Sequence, residues 1–219
     1  MTESDWATST DPNAMLAFLR DRGRVSDRKF RLFTVYCCRR LWHLLTDERS
    51  RAAVEVAERA ADGAVADAPR DAARRAALDA SAEAVRVRQQ NPAAPEMYVL
   101  AARAVVVAGS TPGQVGPVAS QAVVAACSLC ALNPASGLDR AVEHTAYSIM
   151  LRELFGDTVR PVSFDPGWRT ETVTALARGI YEGRAWERMG VLADALEDAG
   201  CAEGDVLEHC RGPNPHHKG

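Results

Sequence analysis

Apolar positions recur at three- and four-residue steps along most of this chain, the spacing that lays one face of an α-helix on a core. The first such segment opens at Asp11-Pro12, with Asp as N-cap and Pro in the first turn. Met15, Phe18 and Leu19 form its apolar face, and Gly23 is the expected stop. Ser26 is the expected cap of a long second helix, in which Phe30, Phe33, Cys37, Leu41 and Leu44 make a buried stripe. Thr46-Asp47-Glu48 reads as a cap and acidic first turn for a third helix that ends at Asp62-Gly63. From residue 64 to 90 the chain is rich in Ala, Arg, Asp and Glu with few large apolar residues, which predicts a peripheral helix over about 69–90.

Asn91-Pro92 through Pro95 is a break, followed by a helix to Ala108 and a loop from Gly109 to Pro117. Gln121–Leu132 is strongly apolar and reads as a central helix. A further helix spans Leu138–Phe155, carrying Val142, Ala146, Ile149, Met150, Glu153 and Leu154, with Gly156 as its end. Residues 157–169 read as an extended linker containing Pro161 and Pro166. Beyond it, Thr170 caps a helix to about Tyr181, a second runs from Arg184 to Ala199, and a third from Glu203 to Arg211. No segment alternates with period two. The fold predicted is all-α, an irregular bundle of nine to ten helices. Residues 1–156 form the main body, 170–211 a C-terminal helical unit, and 212–219 a flexible tail.

Composition supports packed helices. Aromatics are only 6% of the chain while hydrophobic residues are 47%, so the core rests on Ala, Val and Leu, and Ala is the best helix former. Six cysteines are present, at 37, 38, 127, 130, 201 and 210. The N-terminal residues are polar and acidic without an apolar h-region, which predicts a cytoplasmic setting and free thiols. No stretch approaches the roughly 20 apolar residues of a membrane span.

Several constellations are candidates for chemistry. Cys127-Ser-Leu-Cys130 is a C-x-x-C, but it sits late in an apolar helix rather than at a helix N-terminus. Burial there raises a thiol pKa, so core packing is favoured over redox or metal use. Cys37 and Cys38 are adjacent on a helix and diverge, again favouring core thiols. Cys201, His209, Cys210 and His216 are the candidate metal ligands by residue type, yet none of the pairs has the short spacing of a zinc knuckle. Glu143-His144 lacks the second His of a zincin helix. No dinucleotide loop, P-loop or nucleophile elbow is present. The expectation is therefore no cofactor and a non-enzymatic module, with an enzyme of unfamiliar site as an alternative.

Charge is segregated although the net charge is only −3. Between Arg20 and Arg40, eight basic residues (20, 22, 24, 28, 29, 31, 39 and 40) face Asp21 and Asp27, a net of +6. Between Glu182 and Glu208, eight acidic residues face Arg184 and Arg188, a net of −6. Candidate interaction residues are Arg28, Lys29, Arg31, Arg39 and Arg40 on one run, and Glu197 and Asp198 on the other. Two solvated faces account for this pattern. So does mutual attraction of the runs within one chain or across a homodimer, and so does a basic patch for nucleic acid. Partners expected on this reading are a protein or a second copy of the chain, with nucleic acid as the alternative and no membrane.

Two stretches carry a resemblance. One is Thr10-Asp-Pro-Asn-Ala-Met-Leu-Ala-Phe-Leu-Arg with Ser26-Asp-Arg-Lys-Phe-Arg-Leu-Phe and Cys37-Cys-Arg-Arg-Leu-Trp-His-Leu-Leu. The other is Trp168, Ile180-Tyr-Glu-Gly-Arg-Ala-Trp, Leu192-Ala-Asp-Ala-Leu-Glu-Asp-Ala-Gly-Cys and His209-Cys-Arg-Gly. Together they resemble a paralogous family expanded in planctomycete-type bacteria, and the resemblance implies no catalytic residues. Ala193-Asp194-Ala-Leu196-Glu197 with Gly200 is also similar to the Ala-Asp-Trp-Leu-Glu-x-x-Gly core of the repeat-companion domain, with Ala195 in place of its Trp.

Overall fold

The computed structural model describes residues 1–22, 26–91, 98, 101–102, 105, 116–159, 161, 163–212 and 216. Gly23, Arg24, the loop over 109–115, most of the helix expected up to Ala108, and the tail apart from Gly212 and His216 lie outside the described residues. Among those described there are ten α-helices and no strand, an all-α fold. None of these helices is long and apolar enough to cross a membrane. The chain divides into two compact units, Met1–Phe155 and Gly156–Gly219.

The first unit opens on a helix the periodicity does not show, α1 (Glu3–Thr8). Six residues are too few for a repeating pattern, but the local signal is there: Thr2 and Asp5 form a reciprocal capping box. The reason the turn holds is Trp6, which is buried and lies 5.8 Å from the Phe18 ring. α2 (Pro12–Asp21) starts as the sequence predicts, with the Asp11 carboxylate accepting from the N–H groups of Asn13 and Ala14. α3 (Asp27–Arg40) has Ser26 at its N-cap position, but the Ser26 side chain makes no capping bond. Burial of Phe30, Phe33, Cys37 and Cys38 holds that helix in place instead. A 3-10 turn over Trp42–Leu44 leads to α4 (Glu48–Ala61), capped by Asp47 and stopped at Gly63, which adopts φ 71°.

α5 (Asp67–Gln90) begins two residues before Pro69 and buries only Ala77, Ala80 and Ser81, packing on α4. α6 (Pro117–Ala131) begins four residues earlier than its apolar run, because Pro117 suits the first turn of a helix. It packs against α2 and α3 through Val123, Val124, Cys127 and Cys130. α7 (Arg140–Val159) corrects two expectations. It continues through Gly156 into the predicted linker, and its buried face is Glu143, Tyr147, Met150, Leu151, Leu154 and Phe155, while Val142 is 58% exposed. The predicted set included Glu153, which is half-buried, but not Glu143, the carboxylate this face buries.

In the second unit, a 3-10 turn at Pro166–Trp168 interrupts the expected linker, and Thr170 caps α8 (Glu171–Gly183) by accepting from the Val173 N–H. Arg184 then takes the left-handed conformation at φ 53°. A further 3-10 turn at Trp186–Arg188 precedes α9 (Met189–Asp198), so that helix starts later than Arg184. Gly200, at φ 89°, allows the turn into α10 (Gly204–Arg211). Val173, Ala193, Leu196, Cys201, Leu207 and Cys210 form this unit's core.

Candidate functional site

A buried polar cluster lies where α3 meets α7. Arg40, in the last turn of α3, reaches the Glu143 carboxylate with both edges of its guanidinium: Nε to Oε2 at 2.5 Å and Nη2 to Oε1 at 2.7 Å. The Tyr147 hydroxyl, one helical turn beyond Glu143, donates to the same Oε2 at 3.0 Å. Glu143 is 3% exposed and Tyr147 fully buried. The Tyr36 ring stands 5.9 Å from the Arg40 guanidinium carbon and edge-on to Tyr147 at 6.4 Å. Bidentate pairing of this kind is strong and geometrically specific. It holds Arg40 more firmly protonated than an ordinary arginine, because the hydrogen bonds to Glu143 outweigh its partial burial. Burial pushes the Tyr147 phenol well up, and the neighbouring Cys127, Cys37 and Glu143 add to the effect.

Four thiols complete this region. Cys37, Cys38, Cys127 and Cys130 are all fully buried, and none is in a disulfide. Burial raises the Cys37 and Cys38 thiols well above the usual range, and Cys127 adds to both. Adjacent residues on a helix point about 100° apart, and α6 lies close enough for Cys127 to act on each. Cys130 is pushed up to about 12 by burial, then by Cys127. Thiols held neutral in this way are poor nucleophiles.

A second pairing was not visible from sequence order. Ser128 of α6 and His144 of α7 meet with Oγ and Nε2 2.8 Å apart, beside a recess lined by Thr10, Arg140, Ala141, His144 and Thr145. This is the spacing of a nucleophile and its base. The Ser128 hydroxyl, however, already donates to the Val124 carbonyl at 2.8 Å. With the hydroxyl proton directed at Val124, His144 donates Nε2–H to Ser128 Oγ; with the hydroxyl turned to Nε2, Ser128 donates instead. In either arrangement the bond links α6 to α7.

His144 nevertheless ties stability to pH. Burial, then Arg140, lowers its pKa below the usual value, with Asp11 opposing. The unfolded chain therefore binds the proton at higher pH than the folded one, near pH 6.5. Stability is complete above that pH and falls as pH drops through it towards the folded-state pKa. Thermal melts from pH 7.5 to 5.5 should show this loss in the wild type and a shallower one in His144→Gln. Parallel profiles would contradict the assignment.

The predicted interaction residues are largely engaged inside their own unit. Arg28 pairs with Asp62 at 3.1 Å, Arg39 with Glu58 at 2.6 Å, and Arg40 with Glu143. Arg31 is 4% exposed, so it cannot serve as a surface contact, and burial lowers its pKa. Lys29 is half-buried. Arg39 and Arg51 both approach the Trp42 ring, at 4.7 and 5.5 Å. In the second unit, Arg211 pairs with Asp194 at 2.6 Å and with Glu197, while Asp198 is exposed. The candidate metal ligands separate by burial. Cys201 and Cys210 belong to the apolar core, whereas His209 is exposed and lies 5.1 Å, ring to ring, from the buried His216.

With this geometry in view, comparison with known proteins is negative throughout: no family model, no curated protein and no solved structure matches the chain.

Proposed function

We propose that this chain is a non-enzymatic helical interaction module. The observation that carries the reading is a set of large apolar side chains left in water where α6 turns into α7. Leu129 is 51% exposed, Leu132 61% and Val142 58%. They flank the short turn at Pro134–Ser136, which His43 braces through a 2.7 Å contact to the Ser136 carbonyl. Single exposed apolar residues are common, but several on one helix connection favour a contact surface. The polar groups nearby support the same reading, since the Ser128–His144 and Arg40–Glu143 pairs are arranged to hold helices together.

The opposed charge runs contribute orientation and association rate rather than affinity. Part of each is already neutralised within its own unit, by the Arg28, Arg39 and Arg40 pairs in one and the Arg211 pairs in the other. The same pairing reduces what the basic run offers to nucleic acid. The experiment is a pull-down from native lysate with wild type and the Leu129→Asp/Leu132→Asp variant as paired baits. A protein recovered in stoichiometric amount by the wild type and lost by the folded variant is the expected result. Identical recoveries from both baits would remove this surface from consideration.

A further inference from the structure

We infer that the first unit binds a tetrahedral oxyanion, the phosphate group of a small ester or free phosphate, in the recess beside the Ser128–His144 contact. This site goes beyond the interaction reading and does not depend on it. The recess measures about 400 Å3, opens to solvent, and is lined by Thr10, Arg140, Ala141, His144 and Thr145. Arg140 and His144 stand one helical turn apart at the start of α7, on the same side of that helix. Every ionisable side chain on the lining is basic.

The polar groups left over on this lining can all donate. Arg140 is exposed and makes no ion pair among the described residues. The exposed Thr10 hydroxyl has no hydrogen-bond partner among them, and His144 uses only Nε2, which leaves Nδ1. Thr145 does not join these donors, since its hydroxyl already donates to the Ala141 carbonyl at 2.9 Å. A phosphate group accepts at every oxygen, and a guanidinium holds it with two parallel hydrogen bonds.

The far side of the imidazole is prepared for a positive charge. With the Ser128 hydroxyl donating to the Val124 carbonyl, Ser128 Oγ accepts from His144 Nε2–H, and a proton on Nδ1 then makes an imidazolium whose Nε2–H is already satisfied. Burial and then Arg140 oppose that proton, while Asp11 favours it. An oxyanion between Arg140 and His144 offsets the repulsion between them. The nearby carboxylates leave room for it. Neither Asp11 nor Asp139 lines the recess, and both are helix caps: Asp11 accepts from the N–H groups of Asn13 and Ala14, and Asp139 from those of Ala141 and Val142.

Sulfate is the first probe, because its charge is constant from pH 5.5 to 7.5. Added to the full chain at constant ionic strength against chloride, it should shift the amide signals of Ala141 and Thr145 and the His144 ring signals saturably. It should bind more tightly at pH 5.5, where His144 is protonated; the groups acting on that proton are Arg140 on the same helix, Asp11 ahead of α2 and Ser128 on α6. Arg140→Gln, a change at an exposed position, should weaken sulfate about tenfold, the worth of one charge-assisted hydrogen bond. His144→Gln should remove the difference between the two pH values. Inorganic phosphate and glycerol phosphate then separate the sources: tighter binding of the ester assigns the recess to a phosphomonoester, and equal binding assigns it to free phosphate. Equal sulfate binding by wild type and Arg140→Gln would overturn the inference. So would a response that never saturates and that chloride reproduces.

Discussion

Replacing Arg40 by alanine should cost the first unit about 3 kcal/mol, because it strands a buried carboxylate. Glu143 is 3% exposed and receives both Arg40 hydrogen bonds as well as the Tyr147 hydroxyl. Removing one partner of a buried pair typically costs about 3–5 kcal/mol. The lower end applies, since the Arg40 side chain is 31% exposed and water can reach the vacated space. Arg40→Glu should be worse, because it sets two carboxylates against each other. The double variant Arg40→Met/Glu143→Leu should recover most of the loss, since the desolvation cost disappears along with the attraction. Urea unfolding followed by circular dichroism measures all three. A wild-type midpoint for Arg40→Ala would show that Glu143 is satisfied in some other way. One consequence concerns charge reversal in the basic run: loss of binding in an Arg40→Glu protein would report unfolding rather than a lost partner contact.

Phe33→Ala should destabilise the same unit by about 3–5 kcal/mol. Phe33 is fully buried in the centre of α3, the helix that packs on α4 and α6 and bonds to α7 through Arg40. Its ring meets Tyr147 edge-on at 6.4 Å. Such pairs couple by about 0.5–1.5 kcal/mol beyond the area they bury, so the double variant with Tyr147→Phe adds a second comparison. Tyr147→Phe keeps the ring and removes only the hydroxyl on Glu143. Its cost, about 1–2 kcal/mol as one hydrogen bond to a charged group, should therefore add to that of Phe33→Ala. Strong non-additivity would mean that ring and hydroxyl act as one unit. A loss below about 1 kcal/mol for Phe33→Ala would show that the core there collapses around the gap.

The buried stripe Phe30, Phe33, Cys37, Leu41 and Leu44 was legible in the sequence because each member is apolar or a thiol, whereas the burial of Arg31 and Thr34 in α3 was not. The caps at Asp11, Asp47 and Thr170 were legible for a related reason: the interaction is local and needs only the following turn. The buried face of α7 was not. Its organising residue is Glu143, which by residue type belongs in water, and only Arg40, 103 positions away, makes its burial tolerable. Leaving Glu143 out rotated the face and placed Val142 inside.

The same division holds for the candidate sites. From Cys127 and Cys130, sequence alone could argue that burial would dominate, because their helix is apolar throughout. It could not show that Cys37 and Cys38 are brought near Cys127, nor that Ser128 meets His144, since those contacts join separate helices. By itself, then, the sequence determined the helical class, most helix boundaries and the identity of the core stripe, all consequences of interactions spanning a few residues. Only the tertiary structure decided which charges are neutralised and which thiols are neighbours. Those depend on which helix lies beside which, and a partner many residues away can reverse the cost of burying a polar group.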